Sequence, residues 1–108
     1  MTDKPIEADD PVEDDPHQRS VDLLNATHEF PCPVMVKVIG INNEVFVDAV
    51  ISSIRDSLGL AFDPPVRKRE TRSGKHLSIT LEPTFDKAEQ VLETYEKIRQ
   101  IDGVIMLL

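Results

Sequence analysis

The sequence has little of several residue types that shape small proteins: one cysteine, no tryptophan, four glycines and five phenylalanines and tyrosines together. The single Cys32 excludes an internal disulfide and is typical of a reducing compartment. The chain does not start with the basic residues and apolar stretch of a signal peptide. Its longest apolar runs, such as residues 104–108, are too short to span a bilayer. We therefore expect a cytoplasmic protein that does not enter the membrane.

The sequence also lacks the residue clusters that catalysis, metal binding or phosphate binding require. His17, His28 and His76 have no carboxylate or thiol partner at a recognisable spacing, whereas a metal site needs convergent ligands. Each glycine falls where two predicted elements meet, so no glycine-rich phosphate loop is present. Cys32 lies between prolines, without the nearby cation that activates a catalytic thiol. These absences predict a protein that is not an enzyme, holds no metal and needs no cofactor.

The net charge of −8 is concentrated at the start of the chain. Residues 1–20 contain seven acidic and two basic residues, whereas the other 88 residues contain 13 acidic and 10 basic residues. A segment so rich in Asp, Glu and Pro cannot bury enough apolar surface to offset its ordering entropy. We predict a disordered acidic tail at residues 1–20, acting as a solubilising extension or as an interaction segment. The nearly neutral remainder argues against nucleic acid as a partner.

The rest of the chain alternates between two hydrophobic periods. Residues 21–28 are predicted to form a short helical or ordered lead-in. A period of two predicts strands at residues 34–39, 66–71, 76–82 and 104–108, and a helical period predicts helices at 44–58 and from about 86 to 100. Asn42 or Asn43 is expected to cap the first helix and Gly59 to end it. Thr84 or Asp86 is expected to cap the second helix.

The order of these elements predicts the fold of residues 29–108. Each helix connects two parallel strands by a right-handed crossover, which leaves room for another strand between them. The result is an α+β, ferredoxin-like βαββαβ sandwich. Its four-stranded antiparallel sheet has the order 4-1-3-2 and carries both helices on one face.

Several short motifs of the chain together resemble the YbeD family of small bacterial proteins, over roughly residues 28–108. The motifs are Glu29-Phe30-Pro31-x-Pro33, Lys37-Val38-x-Gly40, Lys75-x-x-Ser78-Ile79-Thr80, Glu89-Gln90-Val91 through Tyr95, Ile101-Asp102, Val104 and Met106. The resemblance implies a fold similar to ACT regulatory domains, which sense small molecules for amino-acid enzymes. It implies no established biochemical role. The acidic tail and about two residues inserted around positions 82–86 depart from the family pattern.

The turn after the first predicted strand is a candidate ligand site. In ACT-like folds this turn often approaches a ligand, and here it is formed by Gly40, Ile41, Asn42 and Asn43. The amides at the helix start and the two carboxamides are available to an anion. An ordinary turn with a helix cap is the alternative interpretation.

The predicted hairpin carries five cations within nine residues: Arg67, Lys68, Arg69, Arg72 and Lys75. A solvated edge strand explains them without a function, because edge charges also prevent aggregation. Binding of an acidic protein or an anionic ligand is the functional alternative. Nucleic acid is a weaker candidate because no aromatic side chains interleave the cations.

The face of the sheet without helices is predicted to carry apolar side chains. Alternation places Met35, Lys37 and Ile39 there, and Ile105 and Leu107 from the last strand beside them. Apolar surface of this kind usually marks an interface. We expect it to be covered by a protein partner, by a second copy in a homodimer, or by the lead-in around Leu23 and Leu24.

These features favour a non-enzymatic regulatory or binding module that senses a small metabolite or recognises a protein partner. The alternative is a protein-interaction adaptor that uses the open sheet face and the basic hairpin. An acylphosphatase-like hydrolase is a third possibility on the same general fold. It would need an arginine and an asparagine at a phosphate cradle, for which the sequence offers only loose candidates.

Overall fold

The computed structural model describes residues 15–108, so most of the predicted acidic tail lies outside the described residues. Within these residues, three helices and six strands follow in the order α1 (Pro16–Thr27), β1 (Cys32–Pro33), β2 (Val36–Ile41), α2 (Glu44–Leu58), β3 (Val66–Glu70), β4 (His76–Leu81), β5 (Thr84–Phe85), α3 (Ala88–Arg99) and β6 (Val104–Leu107). The predicted α+β class is confirmed.

Four of the strands form the main sheet, in the order β3-β4-β2-β6, and every neighbouring pair is antiparallel. Counted over these four strands alone, the order is 4-1-3-2. The helices α2 and α3 pack side by side on one face, where they enclose the core against the sheet. The other face of the sheet carries no helix among the described residues.

The core lies between the sheet and the two helices. Val36 and Val38 from β2 and Ile79 and Leu81 from β4 are almost fully buried, as their two-residue spacing predicted. The helices contribute Val50, Ile54, Val91 and Ile98. Each such side chain contributes roughly 1.5–3 kcal/mol through burial, so this layer supplies the main stabilisation of the domain.

The helix α2 has the predicted bounds and both predicted ends. Asn43 has an extended backbone, and its Oδ1 accepts a hydrogen bond of 2.7 Å from the Phe46 amide, which satisfies one free N–H of the first turn. Gly59 adopts a φ of +65°, which a residue without a side chain tolerates, and this ends the helix.

The first helix begins earlier than predicted, since residues 16–20 are helical and belong to α1 together with the predicted lead-in. Asp15 accepts a hydrogen bond of 3.0 Å from the His17 amide, and Pro16 occupies the first helical position. Val21 is buried, and Leu24 packs against the core. The predicted end of the disordered tail at residue 20 was wrong, because it came from the composition of residues 1–20 as a whole and missed the start of α1 at Pro16.

A two-stranded ribbon was not predicted. The strands β1 and β5 pair Cys32 with Phe85 and Pro33 with Thr84, next to the main sheet. Phe85 is fully buried, so the residues inserted near positions 82–86 help to complete the core. Thr84 therefore belongs to a strand, and the predicted cap of α3 at Thr84 or Asp86 is wrong. Lys87 occupies the cap position without a side-chain hydrogen bond.

We expected Gly40 to end the first strand, but β2 continues through Gly40 to Ile41. Gly40 faces the helices, and a Cβ atom there would overlap the ring of Phe46 and lie 2.6 Å from the carbonyl oxygen of Gly103. The glycine is therefore required by the close approach of α2 and of the turn before β6, rather than by a turn of its own.

We predict that Gly40→Ala destabilises the domain by about 2–3 kcal/mol, because the added methyl group overpacks this contact. Urea denaturation would measure the loss. Combining Gly40→Ala with Phe46→Leu removes the opposing ring, so the two effects should be less than additive. Strict additivity in this double-mutant cycle would contradict the contact.

The C-terminal residues are held by α3 through Tyr95. Its hydroxyl group donates a weak hydrogen bond of 3.5 Å to the Leu108 carbonyl oxygen. Desolvation by burial raises the pKa of the Tyr95 phenol above its ordinary value, and this effect exceeds the opposing influence of Arg99.

This raised pKa predicts a loss of stability at high pH. Above about pH 10 the unfolded chain loses the Tyr95 proton while the folded chain still holds it, so a rise in pH favours unfolding. The contribution is fully present below this pH and falls as the pH rises through the folded pKa. The variant Tyr95→Phe should show a shallower fall in unfolding free energy above pH 10. Equal pH dependence of both proteins in urea titrations would disprove the assignment.

Candidate functional site

The predicted ligand turn at Gly40, Ile41, Asn42 and Asn43 is largely engaged by the protein itself. The Ile41 amide donates to the Gly103 carbonyl oxygen at 3.1 Å. The Asn42 amide donates to Lys75 O at 3.2 Å and its Nδ2 to Gly74 O at 2.9 Å. The Phe46 ring lies against Gly40, and Asn43 Oδ1 caps α2. Among the side-chain atoms of the turn, Asn42 Oδ1 and Asn43 Nδ2 have no hydrogen-bond partner within residues 15–108.

A cavity of about 650 Å³ lies directly beside these two asparagines. Its lining residues come from the turn, the first two turns of α2, and the neighbouring strands: Asn42, Asn43, Glu44, Val47, Asp48, Lys68, Glu70 and Leu77. The volume lies within the range of small-molecule sites in proteins. Thus Asn42 and Asn43 of the predicted turn line this cavity, whereas Gly40 and Ile41 do not.

Two regular elements position the remaining side chains of the cavity. Glu44 and Asp48 are four residues apart and lie one turn above each other on α2. Lys68 and Glu70 are two residues apart on β3, and their partners Ile79 and Leu77 are buried on the helix side of the sheet. Both pairs therefore face the space between β3 and the start of α2.

The charges of the cavity do not suit the anionic ligand that the sequence of the turn suggested. Three carboxylates, from Glu44, Asp48 and Glu70, stand against the single ammonium group of Lys68. The positive end of the α2 dipole offsets only about half a charge. Electrostatics in this cavity therefore favour a ligand that carries an ammonium group over a simple anion.

The basic hairpin is divided by the pleat of β3. Arg67 and Arg69 pair with Thr80 and Ser78 and lie on the open face, whereas Lys68 lies on the helix side at the cavity. Arg72 and Lys75 belong to the turn beyond the strands, where Gly74 has a φ of +78°. The five cations that are close in sequence therefore belong to separate surfaces.

The open face differs from its prediction at the last strand. Leu107 pairs with the buried Val38 and packs against the core, so it does not lie on the open face. Met106 pairs with Ile39 and lies on the open face instead of Leu107. The reason is a bulge between Ile39 and Gly40 in the pairing with β6, which shifts the register by one residue. Ile105 is exposed beside the bulge.

The open face otherwise carries the predicted residues. Met35 is exposed, and Lys37 and Ile39 are half-buried. Leu108 joins them, because it exchanges backbone hydrogen bonds of 2.8 and 3.2 Å with Lys37. The lead-in does not cover this face, since α1 packs against α3 on the opposite side of the sheet. That part of the expectation was wrong.

Neither surface provides a recognisable metal centre. Within residues 15–108 no three His, Cys, Asp or Glu side chains are grouped so that they could hold a metal ion. No helix in this part of the chain has the length and apolar character needed to cross a bilayer. No Ser, Thr, Cys or His is among the residues that line the cavity.

Comparison with known proteins places the chain among relatives without an assigned activity. The family model described as "Protein of unknown function (DUF493)" matches residues 25–108. A UPF0250 protein of Sodalis glossinidius is 34% identical over 85 residues, which cover 79% of this chain and 95% of that protein. A UPF0250 protein of Pasteurella multocida is 30% identical over 93 residues, covering 86% and 99% of the two chains. These matches confirm the resemblance found in the sequence.

Two solved structures share the fold at low sequence identity. The ACT domain from the GTP pyrophosphokinase of Chlorobium tepidum has a TM-score of 0.51 and 12% identity, covering 71% of this chain and 97% of that domain. Protein HP0495 of H. pylori has a TM-score of 0.53 and 16% identity, covering 75% and 85%. The likeness shows an ACT-like architecture.

The two asparagines at the cavity should differ in their effect on stability. Asn43→Ala removes the α2 cap and should lower the unfolding free energy by about 1 kcal/mol. Asn42→Ala removes an exposed hydrogen bond to Gly74 and should cost less, about 0.5 kcal/mol. Chemical denaturation of both variants tests this. An equal or reversed order would show that the cap is not the main role of Asn43.

Proposed function

The chain belongs to the DUF493 family of proteins of unknown function, and from this premise we propose that it is a non-enzymatic regulatory module that senses a small metabolite. The observation that carries the proposal is the cavity between β3 and the start of α2. It combines an apolar floor with polar groups that converge on one space, which is the usual composition of a small-molecule site.

The groups of the cavity favour a small zwitterion such as an amino acid. The ammonium group of Lys68 and the free Nδ2 of Asn43 can bind a carboxylate, with Asn43 already oriented by its bond to the Phe46 amide. The carboxylates of Glu44, Asp48 and Glu70 can bind an ammonium group. Val47 and Leu77 offer apolar surface to a short side chain. Charge-assisted hydrogen bonds of this kind are the stronger ones in proteins.

The fold supports a regulatory role. ACT domains resemble this chain in architecture, and the Chlorobium tepidum domain comes from a GTP pyrophosphokinase. The likeness to ACT regulatory domains implied by the sequence points to the same class. Because an architecture can host many functions, the proposal depends on the cavity rather than on the fold.

The adaptor alternative depends on the open sheet face, on the other side of the same sheet. Its basis is the exposed apolar side chains at Met35, Met106 and Leu108. The two functions do not exclude each other, because the sheet separates the cavity from the open face. A module that binds a metabolite on one side can present the other side to a protein.

We expect an amino acid to raise the melting temperature of the protein in a thermal-shift screen that also contains nucleotides and lipoate. The ligand should perturb the amide NMR signals of Asn42, Asn43 and Lys68 in particular. Lys68→Gln should weaken binding about tenfold, which corresponds to about 1.4 kcal/mol, by removing the one cation that residues 15–108 contribute to the cavity.

Arg69→Gln is the matched control, because it removes a cation from the adjacent residue on the opposite face. Its affinity for the ligand should equal that of the unchanged protein. Equal weakening by the two variants would mean that net charge, and not the cavity, determines binding. A screen without any hit at the cavity would reject the sensing role, and turnover of an acyl phosphate would instead indicate an enzyme.

A further inference from the structure

The open face of the sheet has an ordered chemical pattern that the register defines. One row across the strands contains Leu108, Lys37, Thr80 and Arg67, and the next contains Met106, Ile39, Ser78 and Arg69. Apolar side chains therefore line the β6 side, hydroxyl groups occupy β4, and two guanidinium groups line the β3 side. Met106 and Leu108 are about half exposed, at 49% and 57%.

The charge of this face is opposite to that of the whole chain. Lys37, Arg67 and Arg69 are cationic, and within residues 15–108 the only carboxylate in an ion pair with them is that of Glu82, 4.0 Å from Arg67. The chain as a whole has a net charge of −8. Since charges are screened beyond about 8–10 Å in physiological salt, a bound segment experiences the local cations. The face is therefore complementary to an acidic partner.

From this pattern we propose that the open face docks an amphipathic helix of a protein partner, with acidic residues along one flank. The apolar stripe of the helix packs on Met106, Leu108 and Ile39, and its acidic flank reaches Arg67 and Arg69. This surface is separate from the metabolite cavity, so the proposal does not depend on the proposed sensing role.

A helix fits better than an extended peptide because of the backbone. The N–H and C=O groups of β2 and β4 are engaged in ladders with both neighbours, so the face offers no main-chain partners. An extended peptide would leave its own backbone groups unsatisfied there, whereas a helix satisfies them internally. The six residues of β2 span about 20 Å and the four strands about 14 Å. A helix of about 14 residues, roughly 21 Å long and 10 Å wide, matches this area.

A second copy of the chain fits the face poorly. In a two-fold dimer packed face to face, Arg67 and Arg69 would lie over their own copies if the axis crossed the strands. If the axis ran along the strands, they would lie over Met106 and Leu108. Both arrangements bury cations without a counter-charge, which is costly.

Selection from a displayed library of helical peptides of about 16 residues, with random residues on one face, tests the proposal. Peptides enriched on the full chain should share an apolar stripe flanked by Asp and Glu. A selected peptide should shift the NMR signals of β2, β4 and β6. The double variant Arg67→Glu with Arg69→Glu should weaken its binding about tenfold and should select Lys-rich peptides instead.

Lys68→Glu is the matched control, because it reverses a charge on the same strand but on the helix side. It should leave peptide affinity unchanged, and circular dichroism should show that both variants are folded. Absence of any enriched helical sequence would overturn the proposal, as would equal weakening by Lys68→Glu. So would light scattering that shows a dimer abolished by the Arg67/Arg69 reversal, or peptide binding that appears only after residues 1–14 are removed. Those two outcomes would assign the face to a second copy or to the chain's own acidic segment.

Discussion

The pleat of the central strand β2 is the constraint on which the rest of this structure depends. The strand pairs with β4 on one side and with β6 on the other, so its register sets which residues of these two strands lie opposite its own. The side chains of Val36 and Val38 face the helices, and those of Lys37 and Ile39 face the open side. Because the side-chain period of a strand is two, a shift of one residue would exchange the core with the surface.

The same pleat separates two surfaces of different chemistry. On β3, Lys68 lies at a cavity with three carboxylates, while Arg67 and Arg69 lie beside exposed apolar side chains on the other face. We propose a small zwitterion as the ligand of the cavity and an acidic helix as the partner of the open face. A module built in this way can connect a metabolite on one side with a protein on the other through a single sheet.

Much of the fold could be predicted because it depends on local chemistry. The helix α2 follows from its apolar period, from Asn43 at its start and from Gly59 at its end. The alternation of β4 and the turn at Gly74 are equally local. The bulge opposite Gly40 could not be predicted, because it lies in the pairing of β2 with β6, two strands far apart in the sequence. Because of this bulge, Leu107 faces the core and Met106 lies on the open face. The candidate site was found only in part, since Asn42 and Asn43 were predicted, whereas Asp48 and Glu70 join them only through packing.

The sequence by itself determined the types of the main-sheet strands and of α2 and α3, the inward faces of β2 and β4, and the family, since periodicity, caps and motifs are properties of neighbouring residues. Only the tertiary structure decided which polar residues share a surface. Arg67, Lys68 and Arg69 form one basic run in the sequence, yet the pleat sends Lys68 to one face and the two arginines to the other. The β1–β5 ribbon and the docking of α1 on α3 likewise bring together residues more than 50 positions apart. Such contacts depend on the closure of the whole chain around one core, which no local pattern records.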